Sequence, residues 1–282
     1  MKRFALALAA ALLTVGVLPG LASAAEVQVG STTTALAPPT CPQESTVQAT
    51  ETGCAIVLDH TTAYETISDG TTNPDEITTP GVVDSFTLAI SDLYIEGATL
   101  TSEINTLDTN WGSPPSVQLA VLRQIPSSNG LRYAVAAESP VISVLPYITG
   151  QATGTVTEFP LLQALPVVKG EILAITVPTW APILTFGLSS TSFAYSQSHT
   201  QILTGTGTAQ KSSCESSSTG SLAQSLIGDQ ANYSCNFAGT RLEYTALEIT
   251  APSVSASAKH HAKRAKAVKQ ARRKAHAKHA SH

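Results

Sequence analysis

Chemistry in this chain would have to start from a handful of side chains. Of seven histidines, only His60 and His199 precede the C-terminal stretch that opens at Lys259. A Ser/His/Asp hydrolase would need one of them, and Asp59 adjoins His60. No G-x-S-x-G elbow accompanies them. Neighbouring residues on a strand also face opposite ways, which places Asp59 poorly for orienting His60. Both histidines are therefore read as ordinary surface or loop residues. Glu158, Glu171, Glu243 and Glu248 fall on or near predicted strands, and paired carboxylates can hydrolyse glycosides. No spacing selects two of them to face each other across a cleft, so a solvated acidic surface is the expected reading.

The loop holding Asp69, Asn73, Asp75 and Glu76 offers the oxygen ligands a calcium ion takes. It lacks the EF-hand spacing, and Pro74 stiffens it. Turns also select Asp, Asn and Gly for their backbone behaviour alone. Trp111 and Trp180 are the two tryptophans, each in a Pro/Gly corner. An exposed ring there could stack on a pyranose face. The commoner role is packing at a corner, and Trp111, between Asn110 and Gly112, is the better surface candidate.

Four cysteines, Cys41, Cys54, Cys214 and Cys235, follow the N-terminal region. An even number in an oxidising compartment implies two disulfides, with three connectivities open. The local pairs Cys41–Cys54 and Cys214–Cys235 are favoured, since each closes a Ser/Thr/Gly-rich loop. No CxxC occurs and no histidine is near a cysteine, so redox or zinc chemistry is not indicated.

Export is expected from the N-terminus. Met1-Lys2-Arg3 is a positive start, Phe4 to Leu18 a short apolar run, and Ala22-Ser23-Ala24 a small-x-small cleavage pattern. The run is shorter than the roughly 20 residues of a spanning helix. Residues 1–24 are thus predicted to be a signal peptide, with the mature chain starting near Ala25.

The net charge of −4 conceals a division. Nine of sixteen Lys and Arg fall between Lys259 and Lys278, and two more are Lys2 and Arg3. The five left in the body are Arg123, Arg132, Lys169, Lys211 and Arg241, against all twenty acids. The body carries −15 and the tail +9. The two parts should behave as separate electrostatic objects.

Between Cys54 and Thr250 short apolar runs recur, punctuated by Gly, Pro and Ser. Phe86, Leu88 and Ile90 share a face, as do Val117, Leu119 and Val121. Leu100, Ser102 and Ile104 read as a weaker strand. No window holds a 3.6-residue apolar repeat long enough for a convincing core helix. Phe159 to Leu188 is the most continuously apolar stretch after the N-terminus, broken by a turn at Lys169-Gly170-Glu171. Its second strand is apolar on both faces, as a central, doubly covered strand is. Leu242 and Tyr244 differ in parity from Leu247 and Ile249, which predicts a bulge near Thr245-Ala246.

The predicted fold is all-β: a single β-sandwich, jelly-roll-like, over residues 54–250. Residues 25–53 read as an extended lead-in anchored by a disulfide. Residues 251–282 read as a hinge and a disordered basic tail, since Lys259 to His282 has only Val268 as a sizeable hydrophobe. The tail cations are Lys259, Lys263, Arg264, Lys266, Lys269, Arg272, Arg273, Lys274 and Lys278. That density should bind an anionic envelope polymer or polysaccharide with strong salt dependence, and not specific nucleic-acid sequence. Five tail histidines could bind transition metal weakly, without a dedicated site.

The segments Val117-Gln118-Leu119-Ala120-Val121-Leu122-Arg123 and Leu165-Pro166-Val167-Val168-Lys169-Gly170-Glu171-Ile172-Leu173 resemble those of exported bacterial β-sandwich proteins of unknown function. Similar "apolar strand, x-x-Gly-acid, apolar strand" turns occur in carbohydrate-binding and jelly-roll modules. The resemblance implies a sandwich fold and an export route, and it carries over no catalytic residue. The expected function is therefore a secreted, non-catalytic β-sandwich protein associated with the cell envelope through its tail, with no cofactor. The alternatives are a secreted glycan-binding module and an extracellular hydrolase.

Overall fold

The computed structural model describes residues 24–30, 33–40, 56–93, 99–128, 130–150, 154–204, 211–214 and 222–251. Residues 1–23 of the proposed signal peptide, Cys41, Cys54 and all nine tail cations lie outside the described residues. Strand β1 is Glu26–Gly30, β2 is Leu58–Ser68, β3 is Thr71–Thr72 and β4 is Gly81–Ile90. Helix α1 is Leu100–Trp111, followed by β5 (Ser116–Gln124), β6 (Arg132–Glu138) and β7 (Ile142–Ser143). Next come β8 (Thr155–Val167), β9 (Ile172–Ala181), β10 (Leu184–Thr185), β11 (Ala194–Gln197), β12 (Gln201–Thr204) and β13 (Lys211–Cys214). The last are β14 (Gln230–Asn232), β15 (Cys235–Ala238), β16 (Arg241–Leu242) and β17 (Tyr244–Thr250).

The all-β expectation holds, and the pairing is antiparallel throughout the described strands. One sheet has the order β1-β17-β4-β8; the larger runs β14-β6-β5-β9-β2-β11-β15, with β3 and β7 attached. The outermost strands of that path, β14 and β15, are separated in the chain by only Tyr233 and Ser234. Its two ends therefore come together, and the larger sheet curls round on itself.

Curling gives the sheet two different apolar faces. Leu119 and Val121 of β5 and Leu173, Ile175 and Val177 of β9 share a core with Phe86, Leu88 and Ile90 of β4 and Tyr244 of β17. That core lies between the two sheets. The residues of opposite parity, Ala120, Leu122, Ile172 and Ala174, close around Tyr64, Tyr133 and Tyr233 in a second core. The three tyrosine rings pack with centroids 5.3–5.7 Å apart. β9, predicted as a central strand covered on both faces, sits at the centre of the path. Its predecessor β8 belongs to the other sheet, so the turn at Lys169-Gly170-Glu171 is a crossing between sheets. Glu171 holds that crossing. Its Oε1 accepts from Arg123 Nη2 at 2.7 Å and Nε at 3.0 Å, and its Oε2 from the Val168 N–H at 2.8 Å.

Three local expectations are corrected. Leu100, Ser102 and Ile104 lie on α1, not on a strand. Leu100, Ile104, Leu107 and Trp111 fall at intervals of four, three and four, and all four pack against the inter-sheet core. The Thr99 hydroxyl accepts from the Ser102 N–H at 3.2 Å and starts the helix as an N-cap. A Ser/Thr/Asn-rich surface hid this repeat. Second, the lead-in is not only a lead-in: Glu26–Gly30 forms the edge strand beside β17. Third, the register shift in β17 falls between Leu247 and Glu248, slightly beyond the predicted position.

Turn chemistry follows the sequence closely at Asp69-Gly70. The β2–β3 pairing closes across these two residues, with φ of 52° and 76°. Positive φ at both positions is the type I′ geometry that Asp-Gly favours. The disulfide Cys214–Cys235 is formed and ties β13 to β15. Among the described residues no helix is long and apolar enough to cross a membrane.

Candidate functional site: a buried carboxylate cluster

The densest collection of ionisable groups was not the one the sequence singled out. β2 brings Glu65 inward. The loop after β3 brings Asp75. The chain across β16 and β17 brings Arg241, Glu243 and Tyr244. All five are buried, none more than 2% exposed. Arg241 and Glu243 reach one face because strand parity repeats every two residues.

Each group has identifiable partners. Asp75 Oδ2 accepts from the Tyr244 hydroxyl at 2.5 Å and from the Glu65 N–H at 2.6 Å. Glu65 Oε1 accepts from the Leu242 N–H at 3.2 Å. Glu243 Oε1 accepts from Thr185 Oγ1 at 2.8 Å, and its Oε2 from the Ala37 N–H at 3.2 Å. Arg241 Nη1 lies 3.4 Å from Glu243 Oε2. The same guanidinium donates to the Ala35 and Thr34 carbonyls at 3.0 and 2.8 Å. Glu65 Oε2, Asp75 Oδ1 and Arg241 Nε are buried without a hydrogen-bond partner among the described residues.

Three carboxyls thus lie in a region shut off from water, where one guanidinium pairs with Glu243 and acts on Glu65. Burial penalises the charged form, so carboxyl pKa values rise. Asp75 is pushed up to about 7 by burial, against the opposing pull of the Tyr244 and Glu65 hydrogen bonds. Burial also raises Glu65 well above the carboxylate range; the nearby Asp75 adds to this, while Ser68 and Arg241 act against it. Glu243 is raised by burial, with Arg241, Thr185 and the Ala37 N–H opposing. The Tyr244 phenol is raised far above its ordinary value by burial and by Asp75, so it remains a donor. Such a cluster can hold and exchange protons. With no member exposed, it offers no surface on which a substrate could sit.

The residues proposed from sequence are dispersed. Asp69 lies on the outside, where Oδ2 accepts from the Thr34 N–H at 3.0 Å and the Thr33 N–H at 3.3 Å. Asn73 sits in a turn at φ 52°, and Glu76 bridges Ile172. Asp75 faces inward, to Tyr244. Asp69 and Asp75 thus turn to different partners, and no set of three His, Cys, Asp or Glu placed to hold a metal occurs among the described residues. The loop's Asp, Asn and Gly serve its turns.

Trp180 is fully buried in the inter-sheet core, and its Nε1 donates to Asp108 Oδ1 of α1 at 2.9 Å. It has no face to offer a sugar, which corrects its reading as a ligand-stacking ring. Trp111 ends α1 and is half-buried against the same core. His60 has φ 41° at a register shift in β2, and this irregularity swings its Nδ1 to 3.5 Å from Asp59 Oδ1. Alternation is broken there, so the two side chains do meet. Among the described residues no serine or threonine hydroxyl bonds to His60. His199 is buried.

Of the four acids considered for glycoside hydrolysis, Glu158 is exposed on β8 and Glu171 is engaged by Arg123. Glu248 is buried beside Gly81, where a side chain would press on its carboxylate. Only Glu243 enters the cluster. Sequence reasoning missed Glu65, Arg241 and Tyr244. The signal available was Glu65 in the alternating run Thr61, Ala63, Glu65, and one of five body cations two residues from a glutamate. Compared with protein-family models, curated proteins and solved structures, the chain matches none.

Proposed function

We propose that this is an exported, non-catalytic β-sandwich protein, retained at an anionic envelope polymer by the cations from Lys259 to Lys278. The observation that carries the reading is the charge division: a body of −15 and a tail of +9 in one chain. Of the body's five cations, Arg241 is buried and Arg123 is engaged by Glu171, so the body's surface offers polyanions little. Polyanion binding falls to the tail. The β-sandwich description rests on the four-stranded sheet facing one side of the curled sheet.

Export is supported by two features. The compact unit Ala25–Ala251 begins with Ala25, whose carbonyl accepts from the Thr250 N–H at 2.8 Å and whose N–H donates to Thr250 Oγ1 at 3.2 Å. That is the residue at which cleavage after Ala24 would begin the mature chain. The Cys214–Cys235 disulfide fits an oxidising compartment.

The test compares the full chain with one ending at Ala258, expressed in an exporting host and fractionated into medium and envelope. The full chain should stay with the envelope and elute when salt is raised; the shortened chain should appear in the medium. Identical distribution of the two, with neither released by salt, would sink the proposal.

A further inference from the structure

The buried cluster does not stand alone: a length of chain is strapped over it. Residues 33–39 run without regular structure. At one end Asp69 holds the Thr33 and Thr34 N–H groups and the Thr34 hydroxyl. Further along, Arg241 holds the Thr34 and Ala35 carbonyls, and Glu243 holds the Ala37 N–H. The far end packs tightly, since a side chain on Gly154 would collide with Pro38. The strap's middle is therefore fastened by an ion pair whose members belong to the cluster.

We propose that the strap of residues 33–39 is a proton-dependent latch, held closed while Asp75 is protonated and loosened when Asp75 ionises. The geometry supplies the coupling. Arg241 is shared between the strap carbonyls, Glu243 and the field of Glu65. When Asp75 ionises, a negative charge appears in a buried region that also holds Glu65 and Glu243 beside a single guanidinium, with no water to screen it. Repulsion then falls on Glu243, which holds Ala37, and attraction draws Arg241 toward Glu65 and Asp75. Its Nε, buried and unpartnered, is the atom free to answer. The groups facing Glu65 and Asp75 are Arg241, Glu243, Tyr244, the Ser68 and Thr185 hydroxyls nearby, and the Tyr64 and Tyr233 phenols behind. Arg241 is the one cation among them.

The direction follows from linkage. The folded state holds the proton more tightly than the unfolded chain, so the latch is secure in acid and is lost as pH rises through about 7, where Asp75 titrates. Each retained proton changes the closing equilibrium by at most about tenfold per pH unit.

Amide hydrogen exchange on the full chain reads this directly. Protection at Ala37 and Thr34, corrected for the base-catalysed intrinsic rate, should fall about tenfold or more between roughly pH 5.5 and pH 8.5. Amides of central strand β9 should hold theirs. Asp75→Asn, neutral at every pH, should keep strap protection at the higher pH. Tyr244→Phe removes a hydrogen bond that favours the carboxylate and should move the transition upward in pH. Equal protection of the wild-type strap at both pH values would overturn the latch. So would a transition that neither substitution shifts. If Asp75→Asn does not fold, the Tyr244→Phe shift alone decides between these outcomes.

Discussion

Replacing Arg241 with methionine should destabilise the protein by about 3–5 kcal/mol near pH 8, and by distinctly less near pH 5. The size follows from what is left behind. Arg241 is buried, and among the described residues its guanidinium is the only cation beside Glu243 and Glu65. Removing it strands a buried carboxylate that was paired. It also frees the Thr34 and Ala35 carbonyls, which lose their donors. The pH dependence follows from the carboxyls. Without Arg241 their pKa values rise further, so in acid they take up protons and the uncompensated charge disappears. As pH rises through the folded-state values those protons must leave, and the deficit grows. Urea denaturation of wild type and variant at both pH values measures it. A deficit that is small throughout, or larger in acid, would refute the role given to Arg241.

Trp180→Ala should cost about 3–5 kcal/mol, independent of pH across the same range. Trp180 is fully buried where β9 meets α1, and its indole N–H joins the two elements through Asp108. Truncation removes the largest buried side chain in the inter-sheet core and leaves a cavity that neighbouring strands, held in register, can fill only partly. Asp108 Oδ1 also loses its indole donor. Trp180→Phe keeps most of the volume but not the N–H, and should fall between wild type and Trp180→Ala. Denaturant midpoints give the comparison, with an unchanged slope showing that stability and not compactness has altered. A loss under about 1 kcal/mol for the alanine variant would contradict the packing described.

These two residues show how legibility divided along the chain. β9 could be recognised as a central strand because it is apolar on both faces, a pattern only a doubly covered strand explains. Asp69-Gly70 meets the backbone demands of a two-residue hairpin, which select those residue types. The Cys214–Cys235 pair was readable from loop length and compartment. Helix α1 was not, because its four apolar positions are separated by threonine, serine and asparagine, which speak for strand and turn. Trp180 was ambiguous for a different reason. A Pro-flanked tryptophan looks the same in sequence whether it plugs a core or faces a ligand, and only the approach of Asp108 from α1 decides. The carboxylate cluster was illegible because it is assembled from β2, the loop after β3 and β16–β17. Glu65 and Arg241 are 176 positions apart, and no local pattern links them. His60 shows the reverse error: the alternation rule was sound, but a register irregularity at that residue suspended it.

If, as proposed, body and tail are separate electrostatic objects and the tail alone engages anionic polymer, retention on a sulfated polysaccharide column must respond to salt and to loss of the tail. The full chain should bind at low ionic strength and elute as salt rises, since neutralising several charges makes the binding constant fall steeply with salt. The chain ending at Ala258, left with a body of −15, should pass straight through. Equal retention of the two chains, or retention of the full chain that salt does not weaken, would contradict it.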